Sequence, residues 1–360
     1  MESTVKFPRP DAEGFFRTMM NRVNDYFREN GVKKTGNWQM YLKTVIMIMA
    51  YVLPFVLVLL QVFPDWAAIV LYSIMAFGKT GIGLAVMHDA NHGSYSSNKR
   101  VNELMARSME IIGGSSFTWN IQHNIMHHSF TNIYGLDEDI DDKPFLRLSP
   151  HGKHKSYHRF QHIYAMVLYS MATLSWLLFK DFKQLFHYNR SGMTEKSGGK
   201  PTSETFRMIV SKGLYVFCLL VLPMLLGVAW WAVIIGFFVM HLITGFLITT
   251  VFQLAHVVEG PNHFEPEPSG TMENTWAIHQ LITTANFACK SKFITWFTGG
   301  LNHQIEHHLF PSICHIHYRR ISRIVRETAA EYGLPYYEHT KMGRALISHL
   351  GVLRQFGQPA

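Results

Sequence analysis

Three histidine-rich stretches hold the residues best suited to chemistry in this chain. One is His303-Gln304-Ile305-Glu306-His307-His308, three imidazoles in six residues directly after Gly299-Gly300. Neutral imidazole is a common transition-metal ligand, and adjacent helical residues diverge by about 100°, so His307 and His308 can face two different ions. Pro311 ends any helix they sit on. A second stretch, His88-Asp89-Ala90-Asn91-His92, puts two imidazoles four residues apart, on one helical face. A third, His123-Asn124-Ile125-Met126-His127-His128, repeats that spacing, with His128 expected to turn aside. His256 follows a long apolar run and brings the candidate nitrogen ligands to eight.

One such pair alone is an ordinary helical feature, and 303–308 alone reads equally well as a polar loop. Together, eight imidazoles exceed the four positions of a structural zinc and suit two open, higher-coordinate ions. Among metals that imidazole favours, iron is the one that works in pairs on oxygen chemistry at unactivated carbon. Two alternatives stand beside this. A haem would sit between facing histidines inside the membrane, whereas these pairs lie at or beyond the span ends. A metal transporter would need histidines and carboxylates within several spans, where the sequence offers chiefly His241.

The elements that carry these residues are apolar. Charged residues make up 16% of the 360, against about 25% in soluble chains, and mean hydropathy is +0.04. This composition predicts an all-α integral membrane protein with four transmembrane helices in two hairpins, under a cytoplasmic helical cap that holds the histidines. The spans are expected at about 44–63, 66–87, 210–228 and 230–254. Both tight connections lack Lys and Arg, so the rule that basic loops stay inside places the polar regions 88–209 and 255–320 in the cytoplasm or at its interface. The apolar stretch 162–179 is flanked by lysines and arginines on both sides and is read as an interfacial or packed helix. Residues 1–43, with Phe15, Phe16, Met19, Val23 and Phe27 at helical spacing among basic residues, read as an amphipathic helix on the membrane surface. Residues 321–360 read as a cytoplasmic tail. The net charge of +8 is spread among apolar segments and suits an anionic membrane rather than nucleic acid. Three scattered cysteines argue against disulfides or a thiolate site.

Taken together, His88-Asp-Ala-Asn-His92, His123-Asn-Ile-Met-His127-His128 and Gln304-Ile-Glu-His307-His308 resemble the three histidine boxes of the membrane fatty-acid desaturase family, over residues 44–320. Glutamine at 304, followed by Ile-Glu-His-His-Leu-Phe-Pro, is similar to the front-end branch, which works between an existing double bond and the carboxyl end. The resemblance implies two iron ions, with His256 matching a further ligand beyond the last span. It implies dioxygen as co-substrate and an acyl-CoA or acyl-lipid substrate. The His-Pro-Gly-Gly of a fused cytochrome b5 domain is missing, so electrons are expected from a separate donor of ferredoxin or cytochrome b5 type. Hydroxylation of a lipid on the same scaffold is the nearest alternative.

Gln304 is expected to position water or support a ligand rather than bind iron itself. Asp89, Asn91, Glu306 and the run Asp137-Glu138-Asp139 are candidates to fix imidazole tautomers, although the acidic run equally suits a solvated loop. His241 suits a hydrogen bond between helices, Lys79 lies among glycines that suggest close helix approach, and His279 and His303 are further histidines to place.

Overall fold

In the computed structural model, which describes residues 5–9, 14–141 and 143–359, the chain is mostly helical. Helix α1 (Phe15–Glu29) is followed by α2 (Trp38–Leu59) and α3 (Ala67–Asn91). Helix α4 (Gln161–Ser170), α5 (Pro201–Leu225) and α6 (Trp230–His256) come next. The remaining elements used below are α7 (Trp276–Ile282), α8 (Gln304–Leu309), α9 (Tyr318–Glu331) and α10 (Met342–Phe356).

Four of these, α2, α3, α5 and α6, are long and apolar enough to cross a membrane. Each starts or ends for a local reason. Asn37 caps α2 by accepting from Gln39 N at 2.9 Å, and Pro201 at the start of α5 loses no helical hydrogen bond. α3 and α6 run past their apolar stretches to Asn91 and His256, so two of the metal-ligand candidates stand on the last turns of these long helices. α3 packs on α2 and along α6. Gly78 makes the first contact possible, since a Cβ there would press on the α2 backbone at Ala50 and Tyr51. Tyr51, Tyr72, Met75, Phe237 and Met240 fill the space among the helices. Residues 156–190 form a pair of helices bent by 59° at their break, where the sequence suggested an interfacial or packed helix.

Three expectations change. The apolar stripe of α1, Phe15, Met19, Val23 and Phe27, is buried against Ile321, Val325 and Ala329 of α9 and Ile305 and Leu309 of α8, rather than left free for a membrane surface. Residues 321–360, expected as a cytoplasmic tail, pack into the fold. α9 belongs to that cluster, and α10 packs on α4 and α6. The fold is also not purely helical: β1 (Ala285–Phe287) pairs in parallel with β2 (Tyr337–His339), tying the C-terminal region to the segment before α8.

Candidate metal centre

The turn Gly299-Gly300 introduces α8. Both residues have positive φ, 63° and 71°, and a Cβ on Gly299 would collide with the Leu84 carbonyl of α3, so only glycine lets α8 approach α3 here. His307 and His308 then diverge as their spacing required. One nitrogen each from His88, His92, His123 and His307 lies within 4.8 Å of the others, and His127, His256 and His308 form a second such set.

His128 is where the sequence reading needs correction. Residues Asn120–His127 form a π-helical stretch, whose wider turn changes which side chains share a face. His123 and His127 stack at 5.3 Å and come together with Asp139, yet each also belongs to a different one of the two all-histidine sets. His128 does not turn aside. Its Nε2 lies 3.2 Å from His123 Nε2 and 3.0 Å from His307 Nε2, and its ring stacks on His308 at 4.5 Å. All eight predicted histidines therefore converge on one centre made of two adjoining nitrogen sets with His128 against both.

The outer nitrogens explain the orientation. His127 Nδ1 faces Asp137 Oδ2 at 3.0 Å, His256 Nδ1 faces the Thr283 carbonyl at 3.2 Å and His308 Nδ1 faces Gln280 Oε1 at 2.8 Å. These partners only accept, so each Nδ1 carries a hydrogen; Nε2 of His256 and His308 then keeps a lone pair, whereas His127 beside Asp137 offers one only when its second proton leaves. His307 Nδ1 lies 3.2 Å from the Tyr318 hydroxyl. On the inner side, Nε2 of His92, His256 and His308 is buried without any hydrogen-bond partner among the described residues. Such orphaned acceptors cost free energy unless something binds them.

Electrostatics point the same way. Burial, and then the charge each neighbouring imidazole would carry, push His123, His128, His307 and His308 well below the ordinary imidazole range, so they stand as neutral donors. His127 differs: burial opposes its charge, but Asp137 overcomes that and raises it to about 9. Asp137 is fully buried, and although burial disfavours its charge, His127 and the N–H groups of Asn132 and Asp139 hold it below the usual carboxylate range. The acidic run is thus no solvated loop. The donor set, imidazole nitrogens converging from two sides with unpartnered lone pairs, fits two cations of the nitrogen-preferring transition series.

Other predicted residues take different places. Asp89 does not hold a box imidazole by a close contact; it accepts from His315 Nδ1 at 2.7 Å and Cys314 Sγ at 3.0 Å, pinning α3 to the loop after α8. Glu306 receives Asn286 Nδ2 at 2.8 Å and the Tyr336 hydroxyl at 2.9 Å. Asn91 donates to the Met87 carbonyl. His279 Nε2 donates to the Thr131 carbonyl at 2.8 Å, and buried His303 belongs to neither nitrogen set. Gln304, at the start of α8, is buried, and its Nε2 lacks a partner among the described residues. His241 makes the expected interhelical bonds, to Thr173 Oγ1 and Tyr215 Oη at 3.0 Å, with Lys79 Nζ at 3.3 Å. Sequence reasoning missed Gln280, Tyr318 and Thr283, and also Trp119, whose ring stacks on His123 at 4.3 Å. None of these belongs to a spaced pattern.

Comparison with known proteins places this geometry. Residues 64–340 match the family model described as fatty acid desaturase. The sn-1 linoleoyl-lipid 6-desaturase of Synechocystis sp. is 34% identical, with 98% of each chain covered. An acyl-lipid (8-3)-desaturase of Physcomitrium patens is 33% identical over 99% of this chain and 74% of its own length, and a Delta(5) fatty acid desaturase of Dictyostelium discoideum is 28% identical over 95% and 75%.

Proposed function

The chain belongs to the fatty acid desaturase family, and from that premise we propose that it inserts a cis double bond into a lipid-bound polyunsaturated chain, on the carboxyl side of an existing double bond. It is an oxidoreductase, a fatty acyl desaturase, and the family is generally iron-dependent. The observation that carries the finer reading is the convergence of His88, His92, His123, His127, His128, His256, His307 and His308 on one buried centre. We assign these eight as the ligands of two iron ions, at the cytoplasmic face. Residues 44–320 form the catalytic unit, with α1, α9 and α10 as its supports.

Iron held by these histidines would supply, with dioxygen and two electrons from a separate donor of ferredoxin or cytochrome b5 type, the oxidising power for removing one hydrogen from each of two neighbouring methylenes. The chain's own residues do the rest. Asp137, Gln280 and the Thr283 carbonyl hold the Nδ1 hydrogens and so aim the Nε2 atoms of His127, His308 and His256 inward. Trp119 shields His123 and keeps water from that side, which matters because exclusion of water and fixed position select one C–H bond among many alike. Gln304 is assigned the orientation of water or dioxygen beside the ligands. The names of the relatives support a lipid-linked substrate.

Expression in a host supplied with polyunsaturated lipid precursors, followed by analysis of total fatty acids, tests this. A new alkene nearer the carboxyl end is expected. A hydroxylated product without a new alkene would replace the desaturase assignment with hydroxylation.

A further inference from the structure

An apolar cavity of about 360 Å³ lies among α2, α3 and α5, away from the metal centre. Tyr51, Phe55, Met75, Leu214, Cys218 and Leu219 line it, and no histidine does. Val52, Ile111 and Leu214 at its edge are exposed, so it opens on the outer face of the helices, where a bilayer would lie. Its inner wall is Tyr215, whose hydroxyl is fixed by Lys79 Nζ at 2.7 Å and His241 Nε2 at 3.0 Å.

The two ends differ. One is apolar, at Phe55 and Leu219. The other carries Ser211 and Glu110, whose Oε1 accepts from Ser116 while Oε2 is buried without a partner among the described residues. Exposed Arg207 lies one turn before Ser211 on α5, as expected where a span leaves the hydrocarbon. From Ser211 to Leu219 is about 12 Å along the helix. One leaflet contributes about 15 Å of the roughly 30 Å hydrocarbon thickness. A groove of this length, polar at the interface and apolar towards the midplane, has the shape and direction of one acyl chain below its headgroup.

We propose that this cavity holds the second acyl chain of a diacyl-lipid substrate, the chain that is not oxidised, with Glu110 Oε2 at the headgroup end accepting a hydrogen bond from a glycerol or headgroup hydroxyl. The proposal rests on the lipid-linked reading above. The oxidised chain has to reach the histidines, so a cavity without them takes its companion. Recognition of that companion is what separates a diacyl lipid from a single-chain thioester.

The test uses the full-length protein in bilayers with a diacyl lipid bearing a photoactivatable diazirine on one chain or the other. Irradiation is expected to label residues 51–55 and 214–219 from the non-reacting chain, and excess unlabelled substrate lipid should suppress the label. Labelling from the reacting chain, labelling that substrate lipid does not compete away, or no labelling there overturns the proposal. Cys218→Trp gives an independent readout. If the indole displaces three methylenes, KM for the diacyl lipid should rise about 60-fold, which is about 2.4 kcal/mol at about 0.8 kcal/mol per methylene. KM for the lysolipid carrying only the reacting chain should not change. An equal rise for both lipids, or for neither, contradicts the assignment. Desaturation by the unmodified protein is scored in the same samples. Desaturation without the expected labelling overturns only the cavity assignment, and no desaturation overturns both readings.

Discussion

Gln280 offers the sharpest test of how the centre is built, because no sequence motif marks it. Its Oε1 accepts from His308 Nδ1 and from Thr131 Oγ1, both at 2.8 Å, in a fully buried position. Gln280→Leu keeps most of the volume and removes both acceptances. The His308 N–H is then left with only the more distant Thr131 hydroxyl at 3.3 Å, against a cost of about 1–3 kcal/mol for a fully unsatisfied buried donor. The ring is also free to rotate or to change tautomer, and supports of this kind are worth roughly 10- to 100-fold in metal affinity or activity. Gln280→Glu restores an acceptor at the same distance. Iron content at limiting iron and desaturation rate, measured together, should fall with Leu and recover substantially with Glu. Equal loss in both variants would mean that Gln280 only fills space, and full iron with full rate in Gln280→Leu would refute the orienting role.

Other expectations follow from the same geometry. His307→Ala and His128→Ala should each lower bound iron and activity together, read by metal analysis beside product formation, and full activity in either would remove that residue from the ligand set. Gln304→Ala should keep most of the iron and lose roughly 10- to 100-fold in turnover; loss of iron as complete as in His307→Ala would make it a ligand. Met19→Ala, in the α1 stripe buried against α8 and α9, should destabilise the protein by about 2–5 kcal/mol in thermal unfolding; an unchanged melting temperature would return that stripe to the membrane. Gly78→Val should push α3 off α2 and cost about 1–3 kcal/mol or more, visible as a lower melting temperature, and wild-type stability would contradict the close approach.

Much of this was legible in the sequence because its signals are local. Imidazoles four apart share a helical face, adjacent ones diverge, and 20 apolar residues mark a span, so the long helices and the paired histidines could be read without a partner in view, whereas lone His256 rested on its place after the last span and on the family resemblance. What was not legible depends on distant partners. The stripe of α1 has the same spacing whether it meets lipid or α9, and only the packed structure distinguishes them. His128 was misplaced because a π-helical turn leaves no mark in hydropathy. Gln280, Tyr318 and Thr283 are single residues from separate segments, and nothing in their own neighbourhoods says that a histidine ring will arrive. The sequence around Asp137 suits a solvated loop as well as a supporting acceptor, and its burial beneath three donors decides between them.

The central claim is that two nitrogen sets sharing His128 hold two irons. It is tested most directly by purifying the full chain anaerobically with iron and counting metal per chain, with magnetic spectroscopy to report coupling between ions. The account predicts close to two irons per chain, coupled to one another, and the loss of more than one iron when His128 is replaced by alanine. A single iron, a haem, or an iron count that His128→Ala leaves unchanged would contradict it.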